Sequence, residues 1–342
     1  MQRETGYDLP SALYLRTGFR GESMKRKLDL LSVGDGNLDV WMRVPRHTGG
    51  RAGGLRETGI VGDACRIGPG GAAANVAIGM ARLGARTAFV GAIGDDTPGA
   101  QFADNMREHG VDVSHLHVMA GQATSMACMF ETPDREYAFY VCPGPRSIPS
   151  HRLPSGFVRS ARLLYVTGHV LTEEESTCDI LLDAMATARD AGVTVALDPG
   201  KYWLNPSLES RVHEAVKLTD IILPNRMEAE RLTGRRAPHD AAGDLLEAGV
   251  GIVAVTMGDG GCLAACADRM IERPAFRTGI VSTVGAGDAF ASGMLYSFLA
   301  KESLEEMAAF ANAAAAIKIG TPGAAEGMPG ADEVRSFLRV NA

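Results

Sequence analysis

The stretch "DIILPNRMEAERLTG", residues 220–234, predicts a β-strand that runs directly into an α-helix. Upstream of it, "VTVALD" (193–198) predicts a strand that follows a helix over 177–191. Downstream, a predicted helix over 241–248 leads into another strand, "GIVAVTMG" (251–258). Such alternation of strand and helix is typical of a mostly parallel sheet covered by helices on both faces. The predicted fold class is therefore α/β.

The N-terminal part of the chain adds a second feature to this frame. Residues 1–27 are polar and lack periodicity, so we interpret them as a loosely attached tail, and the strand "LDLLSVG" (28–34) opens a domain that extends to residue 342. The segments at about 38–67 and 125–142 contain strands in which polar and apolar residues alternate, which predicts a small separate sheet. We expect this sheet to form a lid over the C-terminal ends of the parallel strands, where α/β proteins bind ligands. The Gly- and Arg-rich run at 48–56 is predicted to be a mobile loop.

Composition excludes several classes of function. The 342 residues are 46% hydrophobic and 22% charged, as in soluble globular proteins, and the formal net charge is −7. A negative chain offers no basic field for nucleic acid or for an anionic membrane surface, and its apolar runs are too short to span a bilayer. The six cysteines form no CxxC pair, and the N-terminus lacks an apolar leader. We therefore expect a cytoplasmic protein that binds neither nucleic acid nor membranes.

The common nucleotide-binding motifs are absent from the sequence. The Gly200-Lys201 pair is followed by Tyr202, so there is no Walker P-loop, and the dinucleotide fingerprint after the first strand lacks its third glycine. The sequence also lacks a protein-kinase catalytic loop. Any nucleotide must be bound in another way.

The segment "STVGAGDAF", residues 282–290, places small residues and one carboxylate at the predicted start of a helix. Unpaired N–H groups and the positive end of the helix dipole make such a start suitable for binding an anion, and glycine lets the anion approach closely. Asp288 beside an anion site could abstract a proton. The alternative is that Asp288 merely complements the helix dipole.

Three segments carry a resemblance to a known family: "GPGGAAANVAIGMARLGARTAFVGAIGDDTPG" (68–99), "PNRMEAERLTG" (224–234) and "STVGAGDAFASGM" (282–294). They resemble the signature segments of the ribokinase-like (PfkB) carbohydrate kinases, in the same order and over the chain from about residue 28 onward. The resemblance implies a three-layer sandwich and transfer of the γ-phosphoryl group of ATP to a primary hydroxyl of a small sugar. It also implies that the amides of Gly285, Ala286 and Gly287 stabilise the transferred group while Asp288 acts as general base.

The resemblance assigns further roles by position. It implies that Glu228 and Asn225 order Mg²⁺, largely through water. The residues implied to bind the sugar are Asn37, Asp39, Gly70, Gly71 and Asn75. The residues implied to line the nucleotide site are Asn225, Thr256, Gly258, Asn312 and Gly323.

The sequence departs from the family pattern at positions that affect the choice of substrate and ion. Ser282 stands where potassium-activated members have an aspartate, so activation by a monovalent cation is doubtful here. Ala72 and Ala73 follow the paired glycines where ribokinases have lysine and glycine, which is closer to fructokinase-like members. We expect a neutral sugar of the ribose, fructose or related ketose type.

Several alternatives remain open at this stage. A nucleoside kinase would need a more apolar lid, which Met126, Met129 and Phe139 could supply. A 2-keto-3-deoxygluconate kinase would need a cation for the acid group, for which Arg135, Arg146 or Lys201 are candidates. A catalytically idle sugar-binding protein is the alternative of another class. The resemblance also suggests a homodimer formed through the lid.

Overall fold

An eight-stranded sheet forms the centre of the protein, seen in a computed structural model that describes residues 26–44, 62, 64–132, 137–145, 147–171, 174–200 and 205–341. The described strands are β1 (Leu28–Val33), β2 (Asn37–Arg43), β3 (Ala64–Gly70), β4 (Thr87–Val90), β5 (Ala92–Gly94), β6 (His117–Met119), β7 (Ser125–Glu131), β8 (Tyr137–Cys142), β9 (Ala161–Thr167), β10 (Thr194–Asp198), β11 (Ile221–Ile222), β12 (Ile252–Thr256), β13 (Cys262–Cys266) and β14 (Arg269–Arg273). The described α-helices are α1 (Ala72–Arg82), α2 (Thr97–Glu108), α3 (Ser155–Arg159), α4 (Gly168–Leu171), α5 (Glu175–Asp190), α6 (Glu209–Lys217), α7 (Arg226–Thr233), α8 (Pro238–Glu247), α9 (Ala286–Ala300), α10 (Leu304–Lys318) and α11 (Ala331–Asn341).

The order of strands in the central sheet is β14-β13-β12-β11-β10-β9-β1-β4. Pairing is parallel from β12 through to β4, and β13 and β14 extend the edge as antiparallel strands. Because successive side chains of a strand point to opposite faces, each face of the sheet buries its own apolar set. Leu30 packs in the cluster formed with α1, α2, α9 and α10, whereas Leu31 packs in the cluster formed with α5, α6 and α8. The predicted α/β architecture is confirmed.

A second sheet of four strands, in the order β3-β2-β7-β8, stands apart from the central one. Its register pairs Asp39 with Gly68 and with Ala127. Paired residues share a face, so Asp39 and Met129 lie on one face of this sheet and Met126 lies on the other. Of Met126, Met129 and Phe139, the residues named for an apolar lid, Met126 does not share the face of Asp39 and Met129, because side chains alternate along the strand.

Some sequence predictions fall outside the described residues. These are residues 1–25 of the tail predicted at 1–27, the glycine-rich loop at 48–56 and the cations Arg135, Arg146 and Lys201. Arg26 is described, and it donates hydrogen bonds to the carbonyl oxygens of Ala161, Ala191 and Gly192, so residue 26 is attached to the domain and is not part of a loose tail. Among the helices that are described, none combines the length and the apolar character needed to cross a membrane.

Candidate active site

Groups from distant parts of the chain meet at the C-terminal ends of the parallel strands. The amide of Asn75, on α1, donates a hydrogen bond to the carboxylate of Asp288, on α9, with 2.7 Å between Nδ2 and Oδ2. Helices α1 and α9 pack side by side because Gly79 gives room to Ser292. The helix contact thus brings together two motifs that are 213 positions apart.

Helix α9 begins with the backbone geometry of an anion site. Gly285 caps it with φ at +79°, and a Cβ at this position would also lie 2.7 Å from the carbonyl oxygen of Ala324, so a larger residue is excluded. The amide of Ala286 already donates to the carbonyl of Thr283 at 3.2 Å. Within the described chain, the amides of Gly285, Gly287 and Asp288 have no acceptor, so they are the N–H groups left for an anion. The amide of Ala286, expected to contribute, is engaged elsewhere.

Asp288 lies among groups that set its protonation. Burial, the largest cause, and the charge of Asp198 together raise the pKa of Asp288 to about 7, against the hydrogen bond from Asn75 and the charge of Lys318, which lower it. A carboxyl whose pKa lies near neutrality can accept a proton and release it again, as a general base must.

Asp39 lies close enough to Asp288 for the charges of the two carboxyls to interact. Burial and the charge of Asp288 raise the pKa of Asp39 to about 7, although the amide of Asn37, which donates to Oδ1 of Asp39, lowers it. Two carboxyls that act on each other across one pocket can accept hydrogen bonds from a polyhydroxy ligand placed between them.

The paired glycines make room for the protein's own groups. A Cβ on Gly70 would collide with the carboxylate of Asp39, and a Cβ on Gly71, whose φ is +96°, would collide with the carbonyl oxygen of Asp35. We expected these glycines to let a sugar approach the backbone. In the structure, Gly70 leaves room for the carboxylate of Asp39, and Gly71 leaves room for the carbonyl oxygen of Asp35.

Asn75 has a second polar atom available at this site. Its side chain is 4% exposed, and its Oδ1 atom is buried without a hydrogen-bond partner among the described residues. An unsatisfied buried acceptor costs free energy, which a ligand hydroxyl would recover. The residues predicted for sugar binding therefore do come together around Asp288.

Asn225 and Glu228 form a reciprocal capping box at the start of α7. The Glu228 amide donates to Asn225 Oδ1 at 3.0 Å, and the Asn225 amide donates to Glu228 Oε2 at 2.8 Å. Glu228 is nevertheless 7% exposed, and the charges of Asp198, Asp288 and Glu228 all act on the buried hydroxyl of Tyr165, raising its pKa. Oxygen ligands with this excess of negative charge fit Mg²⁺. In the described part of the chain, no three His, Cys, Asp or Glu side chains are close enough to bind a metal directly.

The remaining nucleotide candidates are Thr256, Gly258, Asn312 and Gly323. Thr256 bridges to Asn225 at the end of β12, and Gly258 follows with φ at +62°. The amide of Asn312 donates to the carbonyl oxygens of Arg273 and Pro274 at 3.1 and 3.2 Å, so it supports the backbone rather than facing outward. Gly323 has φ at +79°, in the loop after α10.

Two groups near Asp288 were not predicted from the sequence. Asp198 ends β10 and accepts a hydrogen bond from the hydroxyl of Tyr165 at 3.2 Å. An acid at the end of a parallel strand was a signal that could have revealed it. Lys318 is completely buried at the end of α10, and nothing in its sequence context indicated this.

Comparison with known proteins agrees with this geometry. The profile of the pfkB family carbohydrate kinases matches residues 27–331. Fructokinase-1 of Oryza sativa subsp. japonica is 34% identical over 285 residues, 79% of this chain and 88% of that protein. Ribokinase of Haemophilus influenzae is 29% identical over 284 residues, 82% of this chain and 90% of that protein. An E. coli protein solved in complex with ATP and Mg²⁺ has a TM-score of 0.80 at 21% identity, covering 92% of this chain and 99% of that one. The family profile matches most of the chain, and the central sheet and the start of α9 have the expected geometry. The chain therefore belongs to the pfkB family of carbohydrate kinases.

Proposed function

We propose that this carbohydrate kinase transfers the γ-phosphoryl group of ATP to a primary hydroxyl of a small neutral sugar, with a fructose-type ketohexose as the first candidate. The observation that carries the proposal is the Asn75–Asp288 hydrogen bond of 2.7 Å, which places a base of raised pKa beside the free amides of α9. The 34% identity to a fructokinase supports the choice of sugar, and the ribokinase similarity makes ribose the second candidate.

Each group has a defined part in the proposed reaction. Asp39 and Asn75 hold the sugar through its hydroxyls, and Asp288 takes the proton of the attacking hydroxyl. The sugar oxygen then forms its bond to the γ-phosphorus while the bond from that phosphorus to the bridging oxygen of ADP breaks. The amides of Gly287 and Asp288 face the charge on the transferred group, and such positioning supplies most of the catalysis in phosphoryl transfer.

Glu228, Asn225 and Asp198 would hold Mg²⁺ through water. When bound, the ion neutralises the charge of the nucleotide phosphates. Thr256 and Gly258 then lie on the nucleotide side of the site, next to Asn225.

A neutral sugar is favoured over an acid sugar by the charges in the pocket. Asp39 and Asp288 both contribute negative charge, and each raises the energy of a sugar carboxylate placed between them. Met129 shares the face of Asp39, but Met126 lies on the opposite face, which weakens the apolar surface that a nucleoside base would use.

We also propose that turnover needs no added monovalent cation. The hydroxyl oxygen of Ser282 accepts a hydrogen bond from the backbone amide of Val284 at 3.3 Å. A hydroxyl at this position supplies no anionic ligand for a monovalent cation.

The test of the proposed base is Asp288→Asn, with Asp240→Asn as the matched control. Asp240 also lies in the first turn of a helix, α8, and is exposed. We expect Asp288→Asn to lower kcat at least ~10²-fold while ATP binding and folding persist, and Asp240→Asn to leave kcat unchanged. If Asp288 only complements the helix dipole, both variants will retain turnover, and the proposed mechanism is then refuted.

A further inference from the structure

Lys318 is a fully buried lysine that the proposed mechanism has not yet used. Its exposure is 0%, although lysine is almost never fully buried without a partner. Within the described residues its ammonium makes one hydrogen bond, a long one of 3.4 Å to the carbonyl oxygen of Thr321. Burying a cation is costly unless nearby negative charge compensates. The position therefore needs an electrostatic explanation.

The backbone around Lys318 connects it to the start of α9. The carbonyl oxygen of Ile319, the next residue, accepts hydrogen bonds from the backbone amides of Val281 at 2.7 Å and Ser282 at 3.1 Å. Both residues belong to the segment that leads to Gly285. Lys318 thus lies directly behind the loop that presents the free amides.

The loop after α10 closes over the lysine side chain. A Cβ on Gly327 would lie 3.2 Å from Cδ of Lys318 and would also collide with Thr321. The same loop carries Ala324, whose carbonyl oxygen packs against Gly285. Lysine and anion site therefore share one wall.

The charged groups that face Lys318 are carboxylates. Burial lowers the pKa of Lys318 to about 8, and the charges of Asp288 and Glu326 oppose that fall. Glu326 also has Arg66 as a partner, at 3.6 Å. Asp288 in turn faces Asp198 on β10 and Asp39 on β2, both negative, so Lys318 is the cation that acts on it.

We propose that Lys318 is a positioning residue whose buried ammonium keeps Asp288 ionised at neutral pH and so ready to take the hydroxyl proton. The proposal rests on the proposed role of Asp288 as base. Lys318 keeps its own proton throughout the reaction and touches neither the sugar nor the transferred group.

The test is the pH profile of kcat/KM for wild type, Lys318→Met and Lys318→Arg. The wild type should gain activity as Asp288 ionises, through its pKa of about 7. Without the cation the acid limb should move up by about one pH unit, which is about a tenfold loss at pH 6.5. The loss should nearly vanish at pH 9, where Asp288 ionises unaided.

Two further variants make the outcome specific. Lys318→Arg retains a cation at this position, so it should keep the acid limb of the wild type. Lys217→Met, at the exposed end of α6, is the matched control and should have the profile of the wild type. If Lys318→Met does not fold, Lys318→Gln takes its place and should show the same upward shift of the acid limb.

An acid limb at the same pH in wild type and Lys318→Met overturns the proposal, as does a shift of that limb in Lys318→Arg equal to the shift in Lys318→Met. Replacing a purely structural lysine would lower stability and leave the acid limb in place. The Asp288→Asn variant distinguishes failure of the role of Lys318 from failure of the base assignment of Asp288. If it is inactive while Lys318→Met has the profile of the wild type, the role of Lys318 fails and the base stands. If it is fully active, the base assignment itself fails, and the role of Lys318 fails with it.

Discussion

Gly70 shows how one absent side chain shapes the proposed sugar site. Asn37 pairs with Gly70 in the register of β2 and β3, and the space where a Cβ would stand holds the carboxylate of Asp39. The glycine is therefore required by the inward position of an acid on the neighbouring strand.

We expect Gly70→Ala to raise the KM for the sugar at least about tenfold, because Asp39 must leave its place and a charge-assisted hydrogen bond is lost. Gly68→Ala is the matched control on the same strand, since its Cβ would lie 3.6 Å from Glu326 Oε1, an ordinary contact. Steady-state kinetics on both variants gives the comparison. Equal KM values for the two would show that Asp39 does not bind the sugar.

Single residues could be predicted from the sequence only where their local pattern is informative. Asp288 was predicted because small residues at a helix start indicate an anion site. Lys318 was not, because a lysine at the end of a helix is equally well explained by the helix dipole at the surface. Its burial depends on the loop that folds back over it, and no local pattern encodes that contact.

At the scale of elements, two helices begin with the same reciprocal cap but in different surroundings. Asn225 and Glu228 cap α7, and Ser303 and Glu306 cap α10. Glu228 is buried beside the acids of the site, whereas the cap of α10 is exposed. Comparing the two caps therefore tests whether Glu228 orders Mg²⁺ in addition to capping its helix.

Glu228→Gln should raise the Mg²⁺ concentration for half-maximal activity about tenfold or more, as expected when a group that orders a metal through water loses its charge. Glu306→Gln changes the same cap position on α10 and should leave the Mg²⁺ dependence unaltered. Titration of activity with Mg²⁺ at fixed ATP measures both. An equal Mg²⁺ requirement in Glu228→Gln and wild type would leave Glu228 as a helix cap alone.

Most elements followed from periodicity, but their partners did not. The strands at 193–198 and 251–258 were predicted close to their positions in β10 and β12. The alternation in β7 was recognised, but Met126 was named for an apolar lid together with Met129, and their odd spacing puts the two on opposite faces. The edge strand β14 was not predicted, because it is defined by its pairing with β13, and no local sequence pattern encodes that contact.

At the scale of the whole molecule, strand alternation predicts the layers but not the strand order. Strand β1 lies between β9 and β4, and β9 begins more than a hundred residues after β1 ends. Such pairings depend on contacts between distant segments. The small sheet was predicted as a lid, and its covering of the site stays a proposal.

The outer surface of the small sheet supports the proposed homodimer. Ile67 and Tyr140 are 47% and 63% exposed, and the register of the strands puts both on the face opposite Asp39, where they leave an apolar patch. We expect a dimer by light scattering in wild type and a monomer in Tyr140→Lys. Val118→Lys, at an equally exposed apolar position on β6, should remain dimeric. A monomeric wild type would contradict assembly through the lid.

The measurement that tests the central claim most directly is ADP release from MgATP with a panel of acceptors. The panel holds fructose and other ketohexoses, ribose, 2-keto-3-deoxygluconate and several nucleosides, each with and without potassium, with Asp288→Asn alongside. The account predicts turnover on a neutral sugar, fructose first, that is independent of potassium and lost in the variant. Turnover confined to nucleosides or to the acid sugar would contradict the neutral-sugar assignment. Sugar binding without ADP release on any acceptor would contradict the proposal of a working kinase.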